Sequence, residues 1–199
     1  ALTGNAIGPP APPVSSRLTG FPAKRQATVA WTAPTSNGGA PVSGYRLRVS
    51  APNSATVFTP WVATSATSRI LTGLTNGANY RVQVAAVTAG GVSQSLTLAF
   101  RQATTTSPVR DLRAAATPVA GRTTIAWNPP ASQGGTPVVR YLIRVAAANS
   151  ATYGPWVTSA TTTRTLVSLR KGGVYRVQVV AVNTQGNSTA VTIGFRQAR

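Results

Sequence analysis

The chain is predicted to fold as two consecutive all-β sandwiches, and three observations carry that expectation. Short runs alternate apolar and polar residues at period two, as half-buried antiparallel strands do. Turn clusters such as "TSNGGAP", "LTNGAN" and "TAGGVS" interrupt them about every eight to fifteen residues. The whole pattern then occurs twice. With 199 residues, 42% of them apolar, each copy is long enough to bury a core of its own.

Taken in order, the chain opens on "ALTGNAIGPPAPP", Ala1–Pro13, whose proline pairs favour an extended, polyproline-like course. This arm has no counterpart at the C-terminus. A segment with so little to bury needs a partner to be ordered. Its partner is either its own domain or a neighbouring subunit that it straps, with Leu2, Ile7, Pro9 and Pro10 as candidate contacts. The first domain follows over 14–104 and the second over 105–199. "ATVAWTAPTSNGGAPVSGYRLRV" aligns with "TTIAWNPPASQGGTPVVRYLIRV", placing Trp31 over Trp127 and Tyr45 over Tyr141 at an offset of 96 residues. "TPWVATSATSRILTGL" aligns with "GPWVTSATTTRTLVSL" after a one-residue deletion, placing Trp61 over Trp156. "YRVQV" occurs at Tyr80 and again at Tyr175, "SLTLAF" alternates before Phe100, and both copies finish on "FRQA". Between them "ATTTSP", Ala103–Pro108, is short and ends in proline, which limits swing. Units of this length are domains, too long for solenoid repeats.

Trp31 and Trp127, Tyr45 and Tyr141 after an Asn/Gln-Gly-Gly-x-Pro-Val loop, and the pairs Leu74 with Tyr80 and Leu169 with Tyr175 give the chain a family likeness. It resembles a tandem pair of fibronectin type III domains over nearly all of residues 14–199. The resemblance implies immunoglobulin-like sandwiches, a buried second-strand tryptophan and a corner pinned by the tyrosine hydroxyl. The style of its loops, with the heavy use of Ala, Gly, Pro, Val, Thr and Arg, is similar to secreted actinobacterial proteins. The integrin-binding Arg-Gly-Asp of some members is replaced here by "TAGGVSQ" and "NTQGNST".

The residue inventory argues against an enzyme. There is no His, no Cys, no Met and a single acid, Asp111, so paired carboxylates, imidazole bases and zinc ligand sets cannot be assembled. No phosphate loop ending in Lys-Ser or Lys-Thr is present. No cofactor and no metal are expected. No apolar run reaches the roughly 20 residues of a membrane-spanning helix. An Ala1 start without methionine fits cleavage of a secretory leader, or a chain trimmed for expression.

Charge is the strongest global feature: 19 cations against one acid, a formal +18. Seventeen of the 19 are arginine, since Lys24 and Lys171 are the only lysines. If Tyr45, Leu47 and Val49 face the core, then Arg46 and Arg48 face out, and so do Arg81 and Arg101 on the neighbouring strands. Arg144, Arg176 and Arg196 correspond in the second copy, where Leu142 replaces Arg46. In the family these strands share one sheet, with Trp61 and Trp156 on the bordering strand. Three compatible readings attach to that face: guanidiniums stacked on the tryptophans as a structural ladder, polyanion binding through guanidinium forks, or a subunit interface.

Two functions are expected in that light. The first is a non-enzymatic structural subunit of an extracellular or cell-surface assembly, such as a filament, self-associating through the N-terminal arm. The alternative is a secreted module that docks on anionic polysaccharide or another polyanion. Specific nucleic-acid recognition lacks both a helix for a groove and a supply of aromatics, which make up 7%. A scaffold deliberately stripped of acids is a third origin, and it fits the near-exclusive use of arginine poorly.

Overall fold

The computed structural model describes residues 7–115 and 121–198. The chain divides into two compact units, Ala1–Ala103 and Thr104–Arg199. Every regular element among the described residues is a β-strand.

In the first unit these are β1 (Ser16–Gly20), β2 (Ala27–Trp31), β3 (Gly44–Val49), β4 (Val62–Thr64), β5 (Ser68–Leu71), β6 (Asn79–Thr88), β7 (Gly91–Val92) and β8 (Leu96–Arg101). They form a three-stranded sheet, β1-β2-β5, and a five-stranded sheet in which β4, β3 and β6 lie in order and both β7 and β8 pair with β6. The second unit repeats the plan with β9 (Arg110–Ala115), β10 (Thr123–Asn128), β11 (Arg140–Ala146), β12 (Val157–Ser159), β13 (Thr163–Leu166), β14 (Val174–Asn183), β15 (Gly186–Asn187) and β16 (Val191–Arg196). All pairings are antiparallel, as the short turn-punctuated connections require.

The period-two pattern decides which side of each strand is buried. Along β2 the alternate residues Ala27, Val29 and Trp31 are buried, and along β3 Tyr45 and Leu47 are. Trp31 meets Tyr45 edge to face at 5.6 Å, and Trp127 meets Tyr141 in the same way at 5.5 Å. Such pairs contribute about 0.5–1.5 kcal/mol beyond the area that they bury. The tyrosine corner is present twice. The Tyr80 hydroxyl accepts the Thr75 N–H at 2.8 Å, and the Tyr175 hydroxyl accepts the Arg170 N–H at 2.7 Å. Each hydroxyl satisfies a turn amide that would otherwise cost about 1–3 kcal/mol if buried unpaired.

The two "FRQA" motifs have a role that the strand pattern did not disclose. Gln102 and Gln197 are almost fully buried. Gln102 Nε2 donates to the Gln26 carbonyl at 3.2 Å, while Gln197 Oε1 accepts the Thr123 hydroxyl at 2.7 Å. Each glutamine thus ties the end of the last strand to the opposite sheet.

The N-terminal leader departs from an arm set apart from the domain. Leu2 lies outside the described residues, and Ile7 is exposed. From Gly8, however, the leader lies on its own sandwich. The Gly8, Ala11 and Val14 amides donate to the carbonyls of Gly38, Ser36 and Thr32 at 2.9, 2.9 and 3.1 Å. Pro10 and Pro13 are buried, Pro9 exposed. Its counterpart stands at the head of the second copy. There the Thr104 and Ser107 amides donate to Gly134 and Ser132 at 2.7 and 2.9 Å, so "ATTTSP" serves the second domain as "GPPAPP" serves the first. The strap on a neighbouring subunit therefore has no free segment over residues 8–13.

Glycines make this docking possible, since a Cβ on Gly90 would strike the Gly8 carbonyl oxygen. Gly90→Ala should therefore displace the leader. The expected outcome is lost amide-exchange protection at Ala11 and an unfolding free energy lower by about 1–3 kcal/mol, read from the urea midpoint. Gly8→Ala, whose new methyl meets nothing within 4 Å, should leave both unchanged.

Candidate functional site

The outer face of the first five-stranded sheet gathers the predicted arginines. Register sets them in rows. Arg46 lies opposite Ala63 on one side and Ala85 on the other; Arg48 lies opposite Gln83, which lies opposite Thr97. Arg81 lies opposite Ala99, and Asn79 opposite Arg101. Small neighbours leave room for long side chains to lie along the sheet.

Four of these side chains form one stack. Trp61 stands immediately before β4 rather than on it, and its ring takes the Arg46 guanidinium at 4.7 Å and the Arg48 guanidinium at 4.5 Å. Arg48 also lies 4.6 Å from the Phe58 ring, and its Nε donates to Gln83 Oε1 at 2.8 Å. Arg46 Nε is buried without a hydrogen-bond acceptor, so the indole face is the partner that its charge has. In the second unit Arg144 lies over Tyr153 at 4.7 Å and Trp156 at 4.4 Å, and its Nε donates to Gln178 Oε1 at 2.8 Å. Leu142 takes the place of Arg46 there, opposite Thr158 and Val180. The ladder reading thus describes Arg46, Arg48, Arg144, Trp61 and Trp156. Phe58 and Tyr153 belong to it as well. They sit on isolated bridges outside the strands, where period-two alternation gives no signal.

The remaining arginines are placed differently. Arg81 is exposed, and among the described residues no hydrogen bond engages its guanidinium. Arg101 is also exposed; its Nε donates to the Gly77 carbonyl at 2.8 Å, and no described residue hydrogen-bonds its two terminal nitrogens. With Asn53, Ser54, Ala55, Asn79 and Ala99 they line a cleft of about 440 Å³. In the second unit Arg176 and Arg196 occupy the matching positions, with Arg196 donating to Gly172 at 3.4 Å, but Val174 stands where Asn79 does.

Coupling across the stack is measurable. A double-mutant cycle on Arg48→Ala and Trp61→Ala should return an interaction of about 0.5–1 kcal/mol, and the same cycle on Arg81 and Trp61 should return none.

The charge inventory also sets an unusual pH response. Acid unfolding requires carboxylates that are paired in the native state, and histidines to charge; this chain has one acidic side chain and no histidine. On the alkaline side, burial pushes the Tyr141 hydroxyl above its ordinary value. A raised folded-state value means that the unfolded chain releases the proton first. The stabilisation is then whole below the ordinary tyrosine value of about 10 and is lost as pH rises past it. The melting temperature should therefore be nearly flat from pH 3 to 9, to within about 5 °C, and fall above pH 10 in scanning calorimetry.

A family model described as the fibronectin type III domain matches residues 10–100 and again 107–193. Among curated proteins, mouse "Fibronectin type-III domain-containing protein 3A" is 26% identical over 180 residues, covering 89% of this chain. The chain spans 15% of that protein's length. Among solved structures, a two-domain fibronectin type III segment of chicken tenascin is 22% identical with a TM-score of 0.44, covering 93% of this chain and 99% of that one. The FN1–FN3 domains of chicken CNTN1 are 19% identical with a TM-score of 0.48, covering 98% of this chain and 69% of that one.

Proposed function

Because the chain belongs to the fibronectin type III family, whose domains are generally non-catalytic binding or structural modules, we propose that it docks on anionic polymers. The docking surface is the arginine-bearing face of the first five-stranded sheet. The observation that carries this reading is the pairing of a +18 charge with two exposed arginines, Arg81 and Arg101, whose terminal nitrogens no described residue hydrogen-bonds. A field of this strength attracts polyanions at long range, and guanidinium forks then match carboxylate and sulfate geometry. Nucleic acid is a poorer fit than acidic polysaccharide. Strand binding wants free aromatic faces, and the Trp61 and Phe58 rings are already covered by Arg46 and Arg48. An extracellular or cell-surface setting, in a secreted bacterial protein as the composition suggests, belongs to the same reading.

Self-assembly into a filament ranks second. It rests on an ordered leader and on a residue inventory without catalytic groups, but that order has a partner within the chain, since residues 8–13 are bonded to the first sandwich. Copies that each carry +18 also repel one another unless a polyanion lies between them.

Location on the first face is tested by two variants that remove equal charge. Arg81→Ser with Arg101→Ser should elute from an immobilised acidic polysaccharide at clearly lower salt than the native chain. Arg176→Ser with Arg196→Ser should elute close to it. Equal shifts in both variants would reduce the binding to overall charge and remove the face from the account.

A further inference from the structure

We infer that the cleft beside Arg81 and Arg101 is a receptor for a single uronic acid residue, a sugar ring bearing a carboxylate, within an anionic polysaccharide. The inference rests on the polyanion reading and narrows it to one subsite and one ligand class.

The cleft is built by local backbone chemistry. Asn53 sits at a φ of 57°, a left-handed turn conformation that asparagine tolerates. Its backbone N–H donates to the Asn79 carbonyl at 2.9 Å, and its Oδ1 accepts the Asn79 N–H at 2.9 Å. These reciprocal bonds pin the turn to the start of β6 and hold the wall of the cleft in place. Opposite stand the two arginines. Arg81 is anchored through its own backbone amide, which donates to the buried Ser50 hydroxyl at 2.9 Å, and Arg101 through Nε to Gly77 at 2.8 Å. The two are diagonal neighbours on adjacent antiparallel strands, a relation that sets their backbones about 7–8 Å apart. The exposed methyl of Ala99 forms the floor between them.

The donor set selects the ligand. Guanidinium forks match sulfate and phosphate as well as carboxylate, and a carboxylate accepts such a fork in its own plane. Beside them are the Asn79 side-chain amide, with a donor and an acceptor, and that of Asn53, whose Oδ1 holds the Asn79 N–H and whose Nδ2 can donate; both suit hydroxyl groups. One carboxylate flanked by hydroxyls is the chemistry of a uronic acid. A nucleotide would want a stacking face, but Tyr80 and Phe100 turn their rings into the core, where they stack on each other at 5.8 Å. The volume of about 440 Å³ falls in the range of small-ligand sites. The second sandwich keeps both arginines, but Val174 removes one amide and Gly194 removes the floor methyl, so it should take the sugar poorly.

The test uses the whole chain and a galacturonic acid trimer as probe, followed by amide NMR at low salt. Saturable shifts are expected at 53–55, 79–81 and 99–101, and none with the methyl-esterified trimer. Ala99→Leu fills the floor without altering charge and should weaken trimer binding at least tenfold. Asn79→Val copies a residue that the fold already accepts at 174 and should weaken it several-fold. Both variants keep the net charge, so elution from a sulfonate cation exchanger, which presents no sugar ring, serves as the control for charge alone and should not move. Undiminished trimer binding by Ala99→Leu and Asn79→Val would overturn the receptor while leaving the wider polyanion reading in place. So would inorganic sulfate or phosphate displacing the trimer at equal concentration, since the site would then hold a bare anion. Equal elution shifts for Arg81→Ser with Arg101→Ser and for Arg176→Ser with Arg196→Ser on the acidic polysaccharide would instead remove the first face from the wider reading.

Discussion

The structure is governed by a shortage of counter-charge. With one acid against 19 cations, arginines cannot be held by ion pairs, and the fold supplies other partners. Ring faces take Arg46, Arg48 and Arg144. Main-chain carbonyls take others: Arg110 donates to Pro129 at 3.1 Å, Arg101 to Gly77 at 2.8 Å and Arg25 to Leu74 at 2.9 Å. Even Asp111 is engaged by an amide, the Asn128 side chain at 2.7 Å. Carbonyl oxygens at turns carry partial negative charge whatever the side-chain composition, so this solution needs no acid. It suits arginine and not lysine, because a planar fork can both stack and donate, and the near-exclusive use of arginine follows.

Much of this was legible in the sequence because alternation at period two reports burial directly. The outward course of Arg46, Arg48, Arg81 and Arg101 follows from it, while the buried Trp31 and Trp127 and the tyrosine corners are what the family resemblance implies. What escaped notice lies where side-chain pattern and structure part company. The leader docks through main-chain bonds to a glycine loop, and prolines conceal that register because they share no apolar rhythm with "TTTSPV". Gln102 and Gln197 are polar residues past the last strand and so carry no burial signal, yet they are buried because their amides complete bonds across the sandwich. Arg69 and Arg164 are another case. They pair in register with Val29 and Ile125, whose side chains face the core, although both arginines lie on an edge strand. A charge pointing inward at an edge deters pairing with another chain, and a pattern that reads charge as outward misses it.

The two copies show what the scaffold constrains and what it leaves free. Core tryptophans, corner tyrosines, the buried glutamines and the aromatic–arginine–glutamine rung occur in both, since each is required to close a sandwich under this charge. The outer face differs at Arg46 against Leu142, Asn79 against Val174, Ala85 against Val180 and Ala99 against Gly194. The core differs too, but by exchanges that keep its apolar volume nearly constant, such as Val29 against Ile125 and Leu47 against Ile143.

That contrast separates two kinds of arginine on a single sheet. Arg48 is fixed by two rings and an amide, so its rotamer freedom is already lost on folding and its charge is partly answered. Recruiting it to a ligand would mean giving up those contacts. Arg81 has made no such commitment, and Arg101 has committed one nitrogen of three. A ligand that engages them gains charge-assisted bonds without dismantling the fold, and the stem of Arg101 is already placed for it. A polyanion on this face would therefore meet first the arginines that the protein itself uses least.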